Sequence, residues 1–301
     1  VSASDGQSGL ATSNTYKYYL NGNLKKTLTK NSYTFTGLSE GTSYTIKVEA
    51  FDKAGLKGEK SITTSTKTIP TVQEKLKEGD YVYYRDATGT TRKCVVLYDS
   101  SSNYGIQITT IGTVDRVILG FNDPTVSGSD NFTKSLYSYN NAIKTLNSKA
   151  MEYNNSTYSS GARCIGSSPN NPNKDDIGYF TSSYGYMSSY NGKFKKSDTN
   201  YEADYNKIMS LNINDTDRTS FWLASRSVNS DTEMTYFNIR KVNRNMGTNI
   251  LNEFDLYRVG ARGGDGPGSS TTGFKPVFTL KSGIKVIEGD GTLESPYKLG
   301  V

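Results

Sequence analysis

Short alternating runs of apolar and polar residues predict a β-rich first segment over residues 1 to about 68. The runs at residues 16–20, 24–28 and 32–35 are separated by turn-forming residues, and we expect a strand at each. Asn21-Gly22 between the first two runs predicts a hairpin, because both turn positions must accept positive φ. From residue 44 to 50 apolar and polar residues alternate, which predicts a strand with one face in a core.

The predicted second domain begins after a proline. Pro70 lacks a backbone donor and restricts the residue before it, so residues 69–76 are interpreted as a linker and residues 77–301 as a second domain. Residues 81–84 and 92–98 are apolar enough to be strands, and Thr88-Gly89 between them predicts a hairpin.

Two stretches repeat apolar residues every three or four positions, which predicts helices. The first covers residues 135–153 and the second residues 200–211, where Thr199 and Glu202 have the spacing of a capping box. Residues 154–197, rich in Ser, Asn, Tyr and Gly, are expected to form long ordered surface loops. The predicted buried faces are Leu136, Tyr139, Ile143, Leu146 and Ala150 in the first helix, and Tyr201, Tyr205, Ile208 and Met209 in the second.

The composition excludes several kinds of catalytic and metal site. The 301 residues include no histidine, so a Ser-His-Asp triad is impossible and the commonest metal ligand is missing. The two cysteines, Cys94 and Cys164, are far apart in the sequence and form no Cys-x-x-Cys pair, which argues against a zinc site or a redox pair. We expect no metal and no cofactor.

Tyrosine is unusually common, with 23 Tyr against 11 Phe and one Trp. Tyr combined with Ser, Asn and Gly is typical of exposed β-structure and of adaptable contact surfaces. The net charge is +6, but the cations are interleaved with acids along the chain, so we expect a solvated surface and no nucleic-acid partner. No apolar run is long enough for a membrane span.

The first segment resembles a fibronectin type III domain. Leu38 and Tyr44 have the spacing of its tyrosine corner, residues 16–20 resemble its strand C, and residues 61–66 resemble its strand G. The resemblance implies a β-sandwich module over residues 1–68 that lacks strand A. Such modules are usually spacers.

Two strings in the second domain resemble the signatures of C-type-lectin-like domains of the formylglycine-generating-enzyme type. They are Phe221-Trp222-Leu223-Ala224-Ser225 and Gly273-Phe274-Lys275-Pro276-Val277, with Lys275 where the family has arginine. In that family both strings are core strands. The resemblance therefore implies a chain that is mainly β, with an α+β second domain of C-type-lectin-like fold containing two helices.

Between these strings, Phe237, Ile239, Val242, Leu256 and Val259 are predicted core anchors, with an irregularity near Lys241, where alternation breaks. Polar, aromatic and cationic residues flank the anchors and are predicted to form one outward ligand-binding face. Contact energy is expected to concentrate in Tyr257, Arg258 and either Arg240 or Arg262, although Arg240 has the alternative role of bracing the fold. The face comprises Ser227, Asn229, Asp231, Asn238, Lys241, Asn243, Arg244, Tyr257, Arg258 and Arg262.

A variable face on a constant core is similar to the variable proteins of diversity-generating retroelements. The resemblance implies a bacterial or phage-encoded protein at the cell surface that binds a protein or glycan on a cell or host surface. Several alternatives remain: an adhesin of fixed specificity, a pilin-like or tail-fibre subunit that assembles into a pilus or fibre, and a metal-independent carbohydrate binder. A calcium lectin would need Glu-Pro-Asn or Trp-Asn-Asp ligands, which the chain lacks.

An enzyme of the formylglycine-generating type would use a pair of cysteines near its substrate groove. Neither Cys94 nor Cys164 lies in the late segment where the resemblance places that pair, so no catalytic residue is assigned. Cys94 alternates with Val96 in a predicted strand and is expected to be buried. A disulfide between the two cysteines remains open.

Overall fold

The computed structural model describes residues 1–173, 200–211, 220–230, 234–245, 248–260 and 266–301. In these ranges the protein is mainly β, with three helices. The chain divides into two compact units, Val1–Ile69 and Pro70–Val301. No helix in the described ranges combines the length and the apolar character needed to cross a membrane.

The first unit is one antiparallel sheet with strand order β2-β1-β3-β4. Asn21 and Gly22 have φ of 49° and 78°, so the predicted hairpin between β1 and β2 is confirmed. Tyr44, at the start of β3, accepts a hydrogen bond at its hydroxyl from the backbone N–H of Ser39 at 2.9 Å. The strands are β1 (Tyr16–Leu20), β2 (Asn23–Leu28), β3 (Ser43–Phe51) and β4 (Lys57–Ser65).

The predicted second layer of this unit is not present in residues 1–69. Residues 32–35 form no strand, so that prediction is wrong, and the unit contains one sheet where a sandwich has two. Tyr33 and Phe35 pack on each other and Tyr33 packs on Tyr18, so this segment covers the apolar face with side chains without joining a sheet. Coverage is incomplete, and Ile62 in β4 is 53% exposed.

The segment predicted as a linker belongs to the core of the second unit, so the predicted boundary at residue 77 is too late. A single helical turn, α1 (Val72–Lys75), has a complete capping box between Thr71 and Glu74. Val72 and Leu76 are fully buried, and the backbone N–H of Val72 donates to the carbonyl of Ile284 at 2.9 Å. Pro70 marks the start of this unit and does not act as a spacer.

Two sheets form most of the second unit. A seven-stranded sheet has the order β16-β17-β5-β6-β7-β15-β9, and a six-stranded sheet has the order β13-β12-β11-β10-β14-β8. The predicted hairpin between β5 and β6 is confirmed, with Gly89 at φ 83° in its turn. The strands are β5 (Tyr81–Arg85), β6 (Thr91–Tyr98), β7 (Gln107–Thr110), β8 (Asp115–Gly120), β9 (Ser159–Cys164), β10 (Phe221–Ser230), β11 (Met234–Asn245), β12 (Thr248–Gly260), β13 (Gly266–Pro267), β14 (Ser269–Phe274), β15 (Pro276–Leu280), β16 (Lys285–Glu288) and β17 (Tyr297–Gly300).

The long helix α2 (Asn131–Met151) packs on the six-stranded sheet. It begins four residues before the predicted start, because Asp130 caps it by accepting from the backbone N–H of Thr133 at 2.8 Å. The predicted stripe is confirmed for Tyr139, Ile143, Leu146 and Ala150, which are buried. Leu136 is only partly buried.

The second predicted helix is present as α3 (Asn200–Ser210). Ile208 is buried as expected, but Met209 is 36% exposed, so its assignment to the buried face is wrong. Residue 209 lies about 100° around the helix from residue 208, whereas Asp204 lies one turn earlier on the buried side. Thr199 and the side chains of Tyr201 and Glu202 lie outside the described residues, so the capping box and the buried position of Tyr201 stay predictions.

Part of the predicted loop region is a strand. Residues 159–164 form β9, which pairs with β15 as the last strand of its sheet, so the loop prediction for residues 154–197 is wrong at this point. Residues 174–197 lie outside the described ranges.

Both signature strings lie in the core, as their resemblance implied. Phe221, Trp222, Leu223 and Ala224 are buried in β10. In the second string, Phe274 ends β14 in one sheet and Pro276 starts β15 in the other, so the chain crosses between the sheets at Lys275.

Candidate functional site

The predicted ligand-binding residues lie on three neighbouring strands, β10, β11 and β12. The pair β11 and β12 is long and antiparallel, with Phe237 opposite Tyr257 and Lys241 opposite Asn252. β10 pairs with β11 from the other side, and its register shifts between Trp222 and Arg226. These two residues lie opposite Lys241 and Ile239, so the irregularity predicted near Lys241 is present, although the extra residues belong to β10.

Helix α2 covers one face of these strands. Tyr139 packs edge-on against Phe237 with ring centroids 5.3 Å apart, and Phe132 packs against Tyr257 at 5.0 Å. Side chains alternate along a strand, so Lys241 lies on the same face as Phe237. We call this the helix face, defined on β11 by Phe237, Ile239, Lys241 and Asn243. The far face is defined on β11 by Tyr236, Asn238 and Arg240.

Three of the ten predicted site residues are buried, which contradicts their predicted outward orientation. Ser227, Asn238 and Tyr257 are 0%, 3% and 4% exposed. Tyr257 is on the helix face and packs under α2 against Phe132. Ser227 and Asn238 pair with each other across β10 and β11 at the centre of the sheet, where both faces are covered.

Four further site residues cannot be placed. Asp231 and Arg262 lie outside the described ranges, as do the side chains of Asn229 and Arg244. The same applies to the side chain of Val259, whereas the other four predicted anchors, Phe237, Ile239, Val242 and Leu256, are buried as predicted.

The remaining three site residues do not share a face. Lys241 and Asn243 are partly exposed on the helix face, whereas Arg258 lies opposite Tyr236 and is therefore exposed on the far face. The prediction of one contiguous outward face is wrong for these residues. The side chain of Arg258 lies close over Gly266, where a side chain would collide with it.

Lys241 lies at the end of the helix face over an aromatic floor. Its ammonium is 5.1 Å from the ring centroid of Phe254 and 6.0 Å from that of Trp222. The two rings meet edge to face at 5.8 Å, and Trp222 is anchored by its indole N–H, which donates to the carbonyl of Val117 at 2.9 Å. Burial lowers the pKa of Lys241. A half-buried cation is thus held on a rigid frame.

A polar residue that the sequence did not single out completes this end of the helix face. Asn252 lies directly opposite Lys241 and is partly exposed. The signal that identifies it is the β11–β12 register, which cannot be obtained before the turn between the strands is known. Lys241, Asn243 and Asn252 together are called the amide–lysine cluster.

Two buried arginines support the frame. Arg226 donates to the carbonyls of Tyr139 and Asn140 at 3.2 Å and lies over the ring of Tyr139. Arg240 donates to Ser225 Oγ and to the carbonyl of Arg226, each at 2.6 Å. Arg240 is 1% exposed, so it has the bracing role and cannot be a contact residue on the surface.

A second buried polar cluster links α3 to the seven-stranded sheet. Arg163 forms a two-point ion pair with Asp204, which also accepts from Tyr98 Oη at 2.9 Å and from the backbone N–H of Gly166 at 2.7 Å. Burial, together with the Asp204 carboxylate, raises the pKa of Tyr98. Every group has a partner here, so the cluster has a structural role.

The two cysteines are free thiols and both are buried. Burial raises the pKa of Cys164 to about 12 and raises that of Cys94 as well. A thiol in such an environment is a poor nucleophile. The burial predicted for Cys94 is confirmed, and the structure contains no disulfide between the two cysteines.

A groove of about 540 Å³ lies between α2, β8 and residues 123–126. Its cations are largely engaged: Lys149 pairs with Glu152 at 2.8 Å and with Asp115 at 3.5 Å, and Arg116 donates to the carbonyl of Thr271. None of the predicted site residues whose side chains the structure describes lines this groove.

Comparisons of the chain with protein-family models, curated proteins and solved structures find no match.

Proposed function

We propose that the second unit binds a protein ligand through the end of the helix face that carries the amide–lysine cluster. The proposal is based on one observation: partly exposed polar side chains lie next to packed aromatic rings. Lys241 lies over Phe254, and Trp222 beneath it is fully buried. A fixed core that holds assorted polar groups at the surface is suited to recognition, because little side-chain entropy is lost on binding.

We propose that the second unit has a C-type-lectin-like fold, supported by the burial of both signature strings and by the crossing between sheets at Lys275. We propose a fibronectin type III relationship for the first unit. Its support is the strand order β2-β1-β3-β4 and the hydrogen bond from Ser39 to the Tyr44 hydroxyl, which is the geometry of a tyrosine corner.

The proposed setting is the surface of a bacterial cell or a phage-encoded particle, with the second unit as the binding head. We also propose diversification by a retroelement, because partly exposed positions such as Asn243 alternate with buried anchors such as Val242, so that a substitution at the first leaves the second in place. A reverse transcriptase gene and a near-identical template repeat beside the coding sequence would support it. Their absence would favour an adhesin of fixed specificity or a pilin-like or tail-fibre subunit.

The binding proposal is tested by screening the purified chain against extracellular proteins and glycans and then comparing variants. Replacing Lys241, Asn243 and Asn252 by alanine is expected to abolish binding to any protein ligand found. Lys77 and Asn103, exposed elsewhere on this unit, provide a matched control whose substitution leaves binding unchanged. Binding only to glycans would favour the carbohydrate alternative, and binding that survives the triple substitution would move the site elsewhere.

A further inference from the structure

Lys241 is a half-buried cation without a carboxylate partner in the described part of the chain. Burial is the only cause of its lowered pKa, and no acidic side chain there acts on it. Lys149, which is also partly buried, is by contrast paired with Glu152 and Asp115. Partial burial of a charge is unfavourable unless another interaction compensates, and among the described residues the rings of Phe254 and Trp222 do so.

Two side-chain amides flank this cation on the same face. Asn243 follows Lys241 by two positions along β11, and Asn252 faces it across the pair with β12. Residues directly opposite each other in an antiparallel pair have Cβ atoms about 5 Å apart, and an i+2 neighbour lies within about 7 Å. The strand register therefore places a lysine and two asparagines next to one another on one face.

We propose that Lys241, Asn243 and Asn252 bind the carboxylate of an acidic side chain on a protein ligand. This inference rests on the proposed binding function and names the chemistry of its central contact. A carboxylate accepts up to four hydrogen bonds, so it can use the ammonium and both amides at once. Bonds between ionised groups are shorter and stronger than neutral ones, and a partly desolvated cation strengthens them further.

The arrangement of the Phe254 and Trp222 rings next to the cluster favours binding of an acidic protein side chain over an acidic sugar. Sugar rings are bound by stacking on exposed aromatic faces, but Trp222 is 0% exposed and the Lys241 ammonium lies over the Phe254 ring. The Trp222 ring is therefore closed to a pyranose, and the Lys241 ammonium covers one face of the Phe254 ring. A short acidic side chain can bind through the polar groups of Lys241, Asn243 and Asn252 alone and does not have to stack on an aromatic ring.

The proposal has a consequence for protonation. A bound carboxylate favours the charged form of Lys241, so it opposes the effect of burial and raises the pKa of the amine. Binding of an anion and protonation of Lys241 are then linked, and each strengthens the other.

The test uses the whole chain and a small probe. Lysines are labelled by reductive ¹³C-methylation, and the Lys241 signal is identified by its loss in Lys241→Met. The labelled protein is titrated by NMR with two probes. N-acetyl-glutamate α-amide, whose side-chain carboxylate is free, is the acidic side-chain probe, and methyl glucuronide is the sugar acid. We expect a saturable shift of the Lys241 signal with the first probe, and at saturation a rise of about one pH unit in its titration midpoint.

Substitution of the two asparagines tests their part in binding, and a second lysine serves as the control. Asn243→Ala with Asn252→Ala should weaken binding of the probe at least about threefold, while the thermal midpoint and the free Lys241 titration stay nearly unchanged. The exposed Lys144 is the internal control and should show no saturable shift. The inference is overturned if Lys241 responds to the acidic probe no more than Lys144 does, or if methyl glucuronide binds more tightly. Such a result would leave the binding proposal standing, since that is tested with intact protein ligands.

Discussion

Arg163 donates to both carboxylate oxygens of Asp204, at 2.6 and 3.1 Å, in a place where the two side chains are 3% and 0% exposed. The pair fastens α3 to the end strand β9 of the seven-stranded sheet. Gln107 accepts from the same guanidinium at 2.8 Å, and Tyr98 donates to the same carboxylate at 2.9 Å. Because both charges are desolvated, loss of one leaves the other uncompensated.

Substitution of Asp204→Asn is therefore predicted to lower the free energy of unfolding by about 3–5 kcal/mol. Denaturant unfolding followed by Trp222 fluorescence measures it. The matched control is Asp115→Asn, which removes an exposed partner of Lys149 and should cost less than about 1 kcal/mol. Equal small losses in the two variants would show that the buried pair does not stabilise the fold.

The segment from Pro70 to Leu76 is predicted to be essential for the second unit. A chain beginning at Pro70 keeps the buried Val72 and Leu76, whereas one beginning at residue 77 loses both. Leu76→Ala in the whole chain should destabilise by about 2–5 kcal/mol, because it leaves a cavity in a closed core. Circular dichroism melts of the two fragments and of this variant test the point. A fragment 77–301 as stable as 70–301 would restore the linker interpretation.

The first unit is predicted to lose stability in acid through Glu49. This carboxylate is 5% exposed and accepts from Lys47 at 2.8 Å, Lys57 at 2.9 Å and Tyr19 at 2.7 Å, which together lower its pKa to about 2. A lowered carboxyl pKa gives stability that is complete above the unfolded value of 4.5 and is lost as pH falls towards about 2.

¹³C NMR of the Glu49 carboxyl group measures this pKa directly. The midpoint should lie near 2 and should rise towards 4.5 in the double variant Lys47→Met with Lys57→Met. Lys60→Met, an exposed lysine on the same sheet, is the control and should leave the midpoint unchanged. A midpoint near 4.5 in the unchanged chain would show that the network does not hold in solution.

Local patterns in the sequence predicted most of the framework. The hairpin at Asn21-Gly22 depends on neighbouring residues and the buried stripe of α2 on a 3.6-residue period; the hairpin is confirmed, and so is the stripe except at Leu136, which is partly buried. The core position of Trp222, which the family resemblance implied, is also confirmed. The linker was mispredicted because Pro70 is a turn signal in both a spacer and a domain start. Only the packing of Leu76 in the core separates these two cases.

The site residues are predicted less well, because the identity of a polar residue does not indicate which face of a strand it occupies. Asn238 and Asn243 are alike in the sequence, yet one is 3% exposed and the other lies at the partly exposed end of the strand. Tyr257 is predicted at the surface because it flanks the predicted anchors Leu256 and Val259, but the position of α2 buries it against Phe132. Asn252 was missed because its place beside Lys241 follows only from strand register.

The central claim is that the amide–lysine cluster is a binding surface whose residues can change without disturbing the core. The most direct test is a library in which Lys241, Asn243 and Asn252 are randomised, sorted for protease resistance and for binding to arbitrary proteins. A parallel library randomises the fully buried Trp222, Phe237 and Leu256. We predict that most members of the first library stay folded, since exposed substitutions usually cost less than about 0.5 kcal/mol, and that binders can be selected from it. Nearly all members of the second library should be degraded. If the two libraries lose folded members to the same extent, or if the first yields no binder, the amide–lysine cluster is part of the core and the proposed binding surface is wrong.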